Sequence, residues 1–233
     1  MNKERLDEVF ADGERLDDLL IGDYKVLQSK KYYNFTSDSV RFANFADVRG
    51  KDNVLELCAG CGIVSLHKFA DCQSKGGVMT GKWVCVELQE PLCALCEKNI
   101  YINELEGNFV AINDDLKNTF AHVQKASFDV VLCNPPYERD NSGFKKLSES
   151  DAIARAEIAT NFEEIARVAG QALRFGGAFY FICKSERLFE IGNILDRNNM
   201  KVKKVKFISK NGRFRLAFVK AVVGAKDGVD FVR

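Results

Sequence analysis

The chain has 233 residues, 46% of them hydrophobic and 11% aromatic, enough for one substantial core and too apolar for wholesale disorder. Its 34 Lys+Arg nearly balance 33 Asp+Glu, which excludes a uniformly basic nucleic-acid protein but not a local basic patch. Three prolines are too few for a collagen-like or Pro-rich linker protein, and no apolar run reaches membrane-spanning length: Phe175–Cys183 stops at Lys184.

The N-terminal MNKERLDEVF carries charge where a secretion signal needs an apolar stretch. Eight cysteines without such a signal point to reduced thiols and a cytoplasmic protein. Residues 1–50 are acidic at first and then aromatic, with Tyr24, Tyr32, Tyr33, Phe35, Phe42 and Phe45. They are expected to pack as an extension on a core domain spanning residues 51–233.

Strand and helix signals then alternate. Asn53–Leu57 reads as a strand running into the small-residue turn Cys58–Gly62, with a helix from Ile63 to Ala70. Asp71–Gly81 is a polar loop, Trp83–Leu88 a strand, and Pro91 opens a helix to about Ile102. Phe109–Ile112 and Phe128–Cys133 are strands, the latter ending at Asn134-Pro135-Pro136-Tyr137. Asp151–Leu173 has the spacing of a long amphipathic helix, closed by Gly176-Gly177. Ala178–Cys183 is a strand, Glu186–Asn198 a helix, and Val202–Ser209 with Phe214–Val222 a hairpin about Asn211-Gly212. The expected fold is α/β: a doubly wound, mostly parallel seven-stranded sheet with a C-terminal antiparallel hairpin.

Open sheets of this kind bind ligands beyond the carboxyl ends of their strands. There, Glu56 precedes a turn of Cys58, Ala59, Gly60, Cys61 and Gly62, whose glycines let a ligand approach bare backbone. A dinucleotide fingerprint wants a third glycine near Ser65, where serine stands. Glu87, followed by Leu88, is placed to accept both hydrogen bonds of a ribose diol. An acid before the turn suits an ammonium better than a pyrophosphate, and S-adenosyl-L-methionine combines an amino-acid end with a ribose. Asp114 and Asp115, after the third core strand, offer acceptors for an adenine amine. The plainer alternative is that these carboxylates only cap helices.

In Asn134-Pro135-Pro136-Tyr137, two prolines stiffen the backbone and remove two N–H donors. Carbonyl oxygens and the Asn134 amide oxygen are left to accept both hydrogens of a planar amine. That draws the nitrogen toward tetrahedral geometry and frees its lone pair. No strong general base is then needed, which fits a chain with two histidines, His67 and His122. Tyr137 supplies a stacking face for a planar substrate, worth about 1–3 kcal/mol per base.

Two other patterns compete for attention. Cys58-x2-Cys61 and Cys93-x2-Cys96 imitate a zinc site, but the interval between the pairs exceeds the ribbon spacing of about fifteen to twenty residues. No metal is expected. Lys201–Lys220 holds Lys201, Lys203, Lys204, Lys206, Lys210, Arg213, Arg215 and Lys220 with no acid between them. It reads either as an edge strand guarded by lysines or as a phosphate track, extended by Lys30-Lys31 and Lys145-Lys146.

The combination ELCAGCG, Glu87, NDDL and NPPY resembles the Rossmann-like class I methyltransferases that modify exocyclic or amide nitrogens. ERLDDLL at 14–20, KVLQSKKYYNFTSDSVRFANFA at 25–46, IARAEI at 153–158 and GGAFYFICKSERLFEI at 176–191 resemble the bacterial tRNA(Val) adenine-37 N6-methyltransferases. That resemblance implies that Asn134 to Tyr137 hold the target adenine. Glu56, the glycines, Glu87 and Asp115 then hold the cofactor, and tRNA is the partner. Ala156 stands where many relatives have histidine. The competing expectations are a glutamine methyltransferase using the same tetrad and a non-catalytic RNA-binding protein.

Overall fold

The computed structural model describes residues 2–32, 34–135 and 162–232. Pro136, Tyr137, Lys145, Lys146, Ala156 and the first part of the helix expected from Asp151 lie outside the described residues.

The elements follow the alternation read from the sequence. An N-terminal helix α1 (Lys3–Val9) precedes a hairpin of β1 (Glu14–Asp18) and β2 (Lys25–Ser29), and then α2 (Ser37–Phe45). The core runs β3 (Val54–Leu57), α3 (Ile63–Ser74), β4 (Trp83–Glu87), α4 (Glu90–Ile102) and β5 (Phe109–Asn113). It continues through a short helix α5 (Thr119–His122), β6 (Phe128–Cys133), α6 (Phe162–Ala172) and β7 (Leu173–Lys184). Helix α7 (Leu188–Arg197) and strands β8 (Met200–Lys210), β9 (Arg213–Val223) and β10 (Asp230–Val232) complete it.

The main sheet has the order β10-β8-β9-β7-β6-β3-β4-β5. Strands β5, β4, β3, β6 and β7 are mutually parallel, and β9 runs antiparallel between β7 and β8. The seven expected strands are therefore present, and a short eighth, β10, adds parallel to β8 at Lys204–Lys206. Chain order reverses between β3 and β6, so the turns after those two strands open on one crevice. Both sheet faces are covered, as continuous apolar parallel strands require. The cluster on one face joins Phe42, Val64, Leu66, Leu95 and Ile100, and that on the other joins Ile165, Val168, Phe179 and Leu195. No helix among the described residues is long and apolar enough to cross a membrane.

Two local departures have physical reasons. Gly176 and Gly177 do not stop a helix: α6 already ends at Ala172, and the glycines sit in β7 where its pairing with β6 slips between Phe128 and Val130. A Cβ on Gly177 would lie 2.9 Å from the Arg174 carbonyl oxygen. Helix α3 continues four residues past Ala70, and Ser74 Oγ donates to the Asp71 carbonyl at 2.9 Å in its last turn. The expected hairpin turn does form at Asn211-Gly212, both with positive φ (53° and 74°), the backbone demanded by a two-residue loop.

The N-terminal hairpin, which no sequence pattern announced, is joined to the core by two asparagines four residues apart, Asn99 in α4 and Asn103 capping its C-terminus. Asn99 accepts from Leu27 N at 2.6 Å and donates to Leu27 O at 3.1 Å and Cys61 O at 3.0 Å. Asn103 accepts from Lys25 N at 3.1 Å and donates to Lys25 O at 2.8 Å. A helix rises about 6 Å over four residues and a strand about 6.6 Å over two. Paired side-chain amides at i and i+4 therefore match alternate peptides of β2 and stand in for a neighbouring strand. Val26 and Leu27 are fully buried beneath them.

Replacing Asn99 with alanine leaves three buried backbone groups unpaired and should cost about 2–4 kcal/mol in urea unfolding, against about 1 kcal/mol for Asn103→Ala nearer the surface. A midpoint unchanged in Asn99→Ala would refute the strand-surrogate account.

Candidate active site

Beyond Leu57 the chain turns through three left-handed residues: Cys58 (φ 57°), Gly60 (φ 56°) and Gly62 (φ 79°). The two glycines serve different ends. A Cβ on Gly62, the residue preceding α3, would lie 2.6 Å from Cys96 Sγ, so its smallness lets α3 and α4 approach. A Cβ on Gly60 would meet nothing within 4 Å: this glycine presents bare backbone to open space. Its N–H donates to Glu87 Oε2 at 2.8 Å, strapping the turn to the end of β4.

Both glutamates have helix-capping work. Glu56 accepts from Ser65 N at 3.0 Å in the first turn of α3, and Glu87 accepts from Gln89 N at 2.9 Å at the start of α4. The serine where a third glycine was sought thus contributes its backbone N–H. Capping does not exhaust either group, because a carboxylate offers about four acceptor positions. Glu56 is 1% and Glu87 6% exposed, and no ion pair among the described residues joins either to a lysine or arginine. Burial pushes the Glu56 carboxyl up to about 8, the bonds from Ser65 pulling the other way and the nearby Glu87 adding to the rise. Burial raises Glu87 as well, against hydrogen bonds from Gln89, Gly60 and Leu88. Leu88, the next residue, leaves its apolar side chain 44% exposed.

The acidic pair after β5 divides. Asp114 is occupied: it accepts from Asn118 Nδ2 at 2.8 Å and Asp115 N at 2.7 Å, and its second oxygen lies 2.7 Å from His122 Nε2. Its hydrogen bond with His122 holds its pKa low. Asp115 accepts from Lys117 N at 2.9 Å and is otherwise partly open.

Asn134 is the first residue after β6, followed by the buried Pro135. Its Nδ2 donates to Ser39 Oγ at 3.1 Å, while its Oδ1 is buried with no partner among the described residues. Ser39 is 1% exposed on α2, a helix capped by the Thr36 side chain, which accepts from Asp38 N. Sequence reasoning missed Ser39. The run Thr36-Ser37-Asp38-Ser39 announces a helix start, but no linear pattern connects it with a residue 95 positions away.

The remaining motifs resolve by neighbourhood. The C-x-x-C partners part company: Cys58 neighbours Cys133 and Cys96 neighbours Cys85, and all eight thiols are free. Burial pushes Cys61 and Cys93 up to about 12, so they stay protonated. Among the described residues no three His, Cys, Asp or Glu side chains gather as a metal would need.

The basic stretch is a free edge only in part, since β10 covers β8 at Lys204–Lys206. Lys201 bridges Asp196 and Asp227, and Lys203 donates to the Lys226 carbonyl. A slip between Val202 and Lys204 puts Lys204 over the Phe45 ring and opposite Lys220, which lies over Tyr180. Lys206 is half-buried, whereas Arg213 and Arg215 are exposed.

The raised Glu56 carboxyl has a folding consequence. The folded state keeps a proton there that the unfolded chain releases above about 4.5, so stability falls between pH 4.5 and 8 by about 1.4 kcal/mol per pH unit. Glu56→Gln should flatten that decline in urea melts taken across the window, leaving the contribution of Glu87. Superimposable pH profiles for the two proteins would refute the assignment.

The family described as Conserved hypothetical protein 95 matches residues 25–168. The tRNA1(Val) (adenine(37)-N6)-methyltransferase of Flavobacteriaceae bacterium (strain 3519-10) is 25% identical over 197 residues, 79% of each chain. Among solved structures, P. horikoshii TYW2 in complex with MeSAdo superposes with a TM-score of 0.60 at 14% identity, covering 92% of this chain and 73% of that one. Methanocaldococcus jannaschii Trm5 in complex with adenosine gives 0.61 at 16% identity, covering 93% and 57%. These structures share the class I methyltransferase fold with this chain. With well over half its length matched, the chain belongs to the Conserved hypothetical protein 95 family.

Proposed function

We propose that this protein transfers a methyl group from S-adenosyl-L-methionine to the exocyclic N6 of an adenine in tRNA. The relatives named for adenine 37 point to the anticodon loop. The observation that carries the reading is the Oδ1 of Asn134, buried and without a partner among the described residues, beside the glycine turn.

The residues present suit the cofactor. Glu87 has acceptor capacity left for a ribose diol, and the open space at Gly60 admits a ligand against backbone. Glu56, buried and without a basic partner among the described residues, complements an ammonium group. Leu88 offers an apolar face to an adenine ring, with Asp115 near for its amine; Asp114 is given to His122. When bound, S-adenosyl-L-methionine supplies an electrophilic methyl group on a sulfonium.

The chain's own part is to hold and prepare the acceptor nitrogen. Ser39 takes the Asn134 amide hydrogen and so fixes which way the amide faces, aiming Oδ1 at the substrate. Oδ1 and the Pro135 carbonyl accept the two hydrogens of the adenine amine, favouring the pyramidal nitrogen of the transition state over the planar ground state. The amine proton passes to water after transfer, when the methylated nitrogen is strongly acidic, so no buried base is required. Tyr137, outside the described residues, supplies the stacking face. A base held this way has left its neighbours, so an unpaired loop adenine is the preferred substrate.

The direct test is methyl transfer from labelled cofactor to total tRNA of cells lacking the protein, followed by nucleoside analysis. N6-methyladenosine is expected. Label in a protein glutamine with tRNA inert would overturn the proposal. Glu87→Ala should weaken cofactor binding in calorimetry by about 1.5–3 kcal/mol. Asn134→Ala should lower kcat by about a hundred- to thousandfold while cofactor affinity stays within a few fold. Loss of cofactor affinity in step with kcat would remove Asn134 from the chemistry.

A further inference from the structure

The tip of the β8–β9 hairpin carries a feature that cofactor binding and methyl transfer leave unused. The rings of Phe207 and Phe214 lie 5.3 Å apart, and those of Phe207 and Phe231 lie 6.2 Å apart and within 5° of parallel. Phe207 packs on the core, but Phe214 and Phe231 are 64% and 68% exposed. Arg213 and Arg215 flank Phe214 and are exposed. The Asn211-Gly212 turn sets the hairpin rigidly, and Ser185 Oγ, just past the end of β7, donates to the Phe214 carbonyl at 2.8 Å.

Register locates this tip relative to the acceptor site. Cys133 is level with Phe181, and Lys184 is level with Leu216, so Phe214 stands beyond the same carboxyl edge that carries Asn134. Two strand spacings across and about four residues along place it about 16 Å from Asn134. That is within reach of nucleotides flanking a base seated there.

We infer that Phe214, Phe231 and the two flanking arginines form a stacking platform for unpaired RNA next to the target adenine. The inference rests on the proposed tRNA methylation and adds how the loop is held. Exposed rings give a sequence-tolerant face for bases, and guanidinium groups beside them meet the phosphates. A second copy of the chain fits the patch poorly, because a two-fold contact through these rings sets arginines against arginines. The role once expected of the lysines moves outward along the hairpin, since Lys204 and Lys220 lie over rings of the core.

The test measures binding of the full chain to a short RNA hairpin with an unpaired adenine in its loop, by anisotropy, together with methyl transfer to the same RNA. Phe214→Ala with Phe231→Ala should weaken RNA binding by roughly five- to a hundredfold, with Phe214→Trp close to the parent. Cofactor affinity and thermal midpoint should be retained in all of them. Arg213→Gln with Arg215→Gln should reduce the salt dependence of binding. If the parent methylates the RNA and the phenylalanine variants bind it equally well, the platform is refuted and the enzyme assignment stands. If the parent neither binds nor methylates RNA, both fail. A parent that sediments as a dimer which Phe214→Ala dissociates would give the patch to self-association instead.

Discussion

Two carboxylates held out of water, with no counter-ion among the described residues, set the terms for this structure. Removing an ionised carboxylate from water costs several kcal/mol unless a partner compensates, and neither Glu56 nor Glu87 has a basic one among the described residues. Hydrogen bonds from Ser65, Gly60 and Gln89 offset part of that cost and fix the loop geometry. The rest is met by protonation, which is why Glu56 moves to about 8. A cationic ligand in the adjoining space relieves the same penalty. Groups kept in this condition at a strand-order reversal are the mark of a binding site rather than of a stabilised core.

The N-terminal segment is part of that site's construction. Asn99 ties β2 to α4 and also holds the Cys61 carbonyl of the glycine turn, so hairpin and turn share one buried side chain. Helix α2 presses Phe42 and Phe45 against Phe218 and Tyr180 and brings Ser39 to Asn134. On the proposed reading Asn134 is an acceptor amide that needs one orientation, and a hydroxyl on a separately packed helix holds it. The segment that carries the family likeness at 25–46 therefore contributes to the orientation of the NPPY asparagine.

Much of this was legible in the sequence because its signals are local. VLEL, WVCVE and FDVVLC could only be buried parallel strands in this setting, and Asn211-Gly212 dictated its own turn. The glutamates, the glycines and Asn134 could be placed because strand ends are readable. What escaped depends on distant neighbours. Asn99 and Asn103 look like ordinary polar positions of a helix until β2 lies beside them. Ser39 looks like part of a cap. The lysines of β8 appeared to form one stripe, but a single slipped residue and a short strand at Asp230–Val232 redistributed them. The split of Asp114 from Asp115 turned on His122, eight residues away on the next helix.

The central claim is that these buried carboxylates are the docking groups of a cationic cofactor, and proton release on binding tests it most directly. Titration calorimetry of S-adenosyl-L-methionine near pH 6.5, in two buffers of different ionisation enthalpy, gives the number of protons exchanged. The account predicts release of about one proton by the parent protein, because the bound ammonium and ribose favour the ionised carboxylates, and a clear reduction in Glu56→Gln. Tight binding with no net proton release, unchanged by Glu56→Gln, would contradict it.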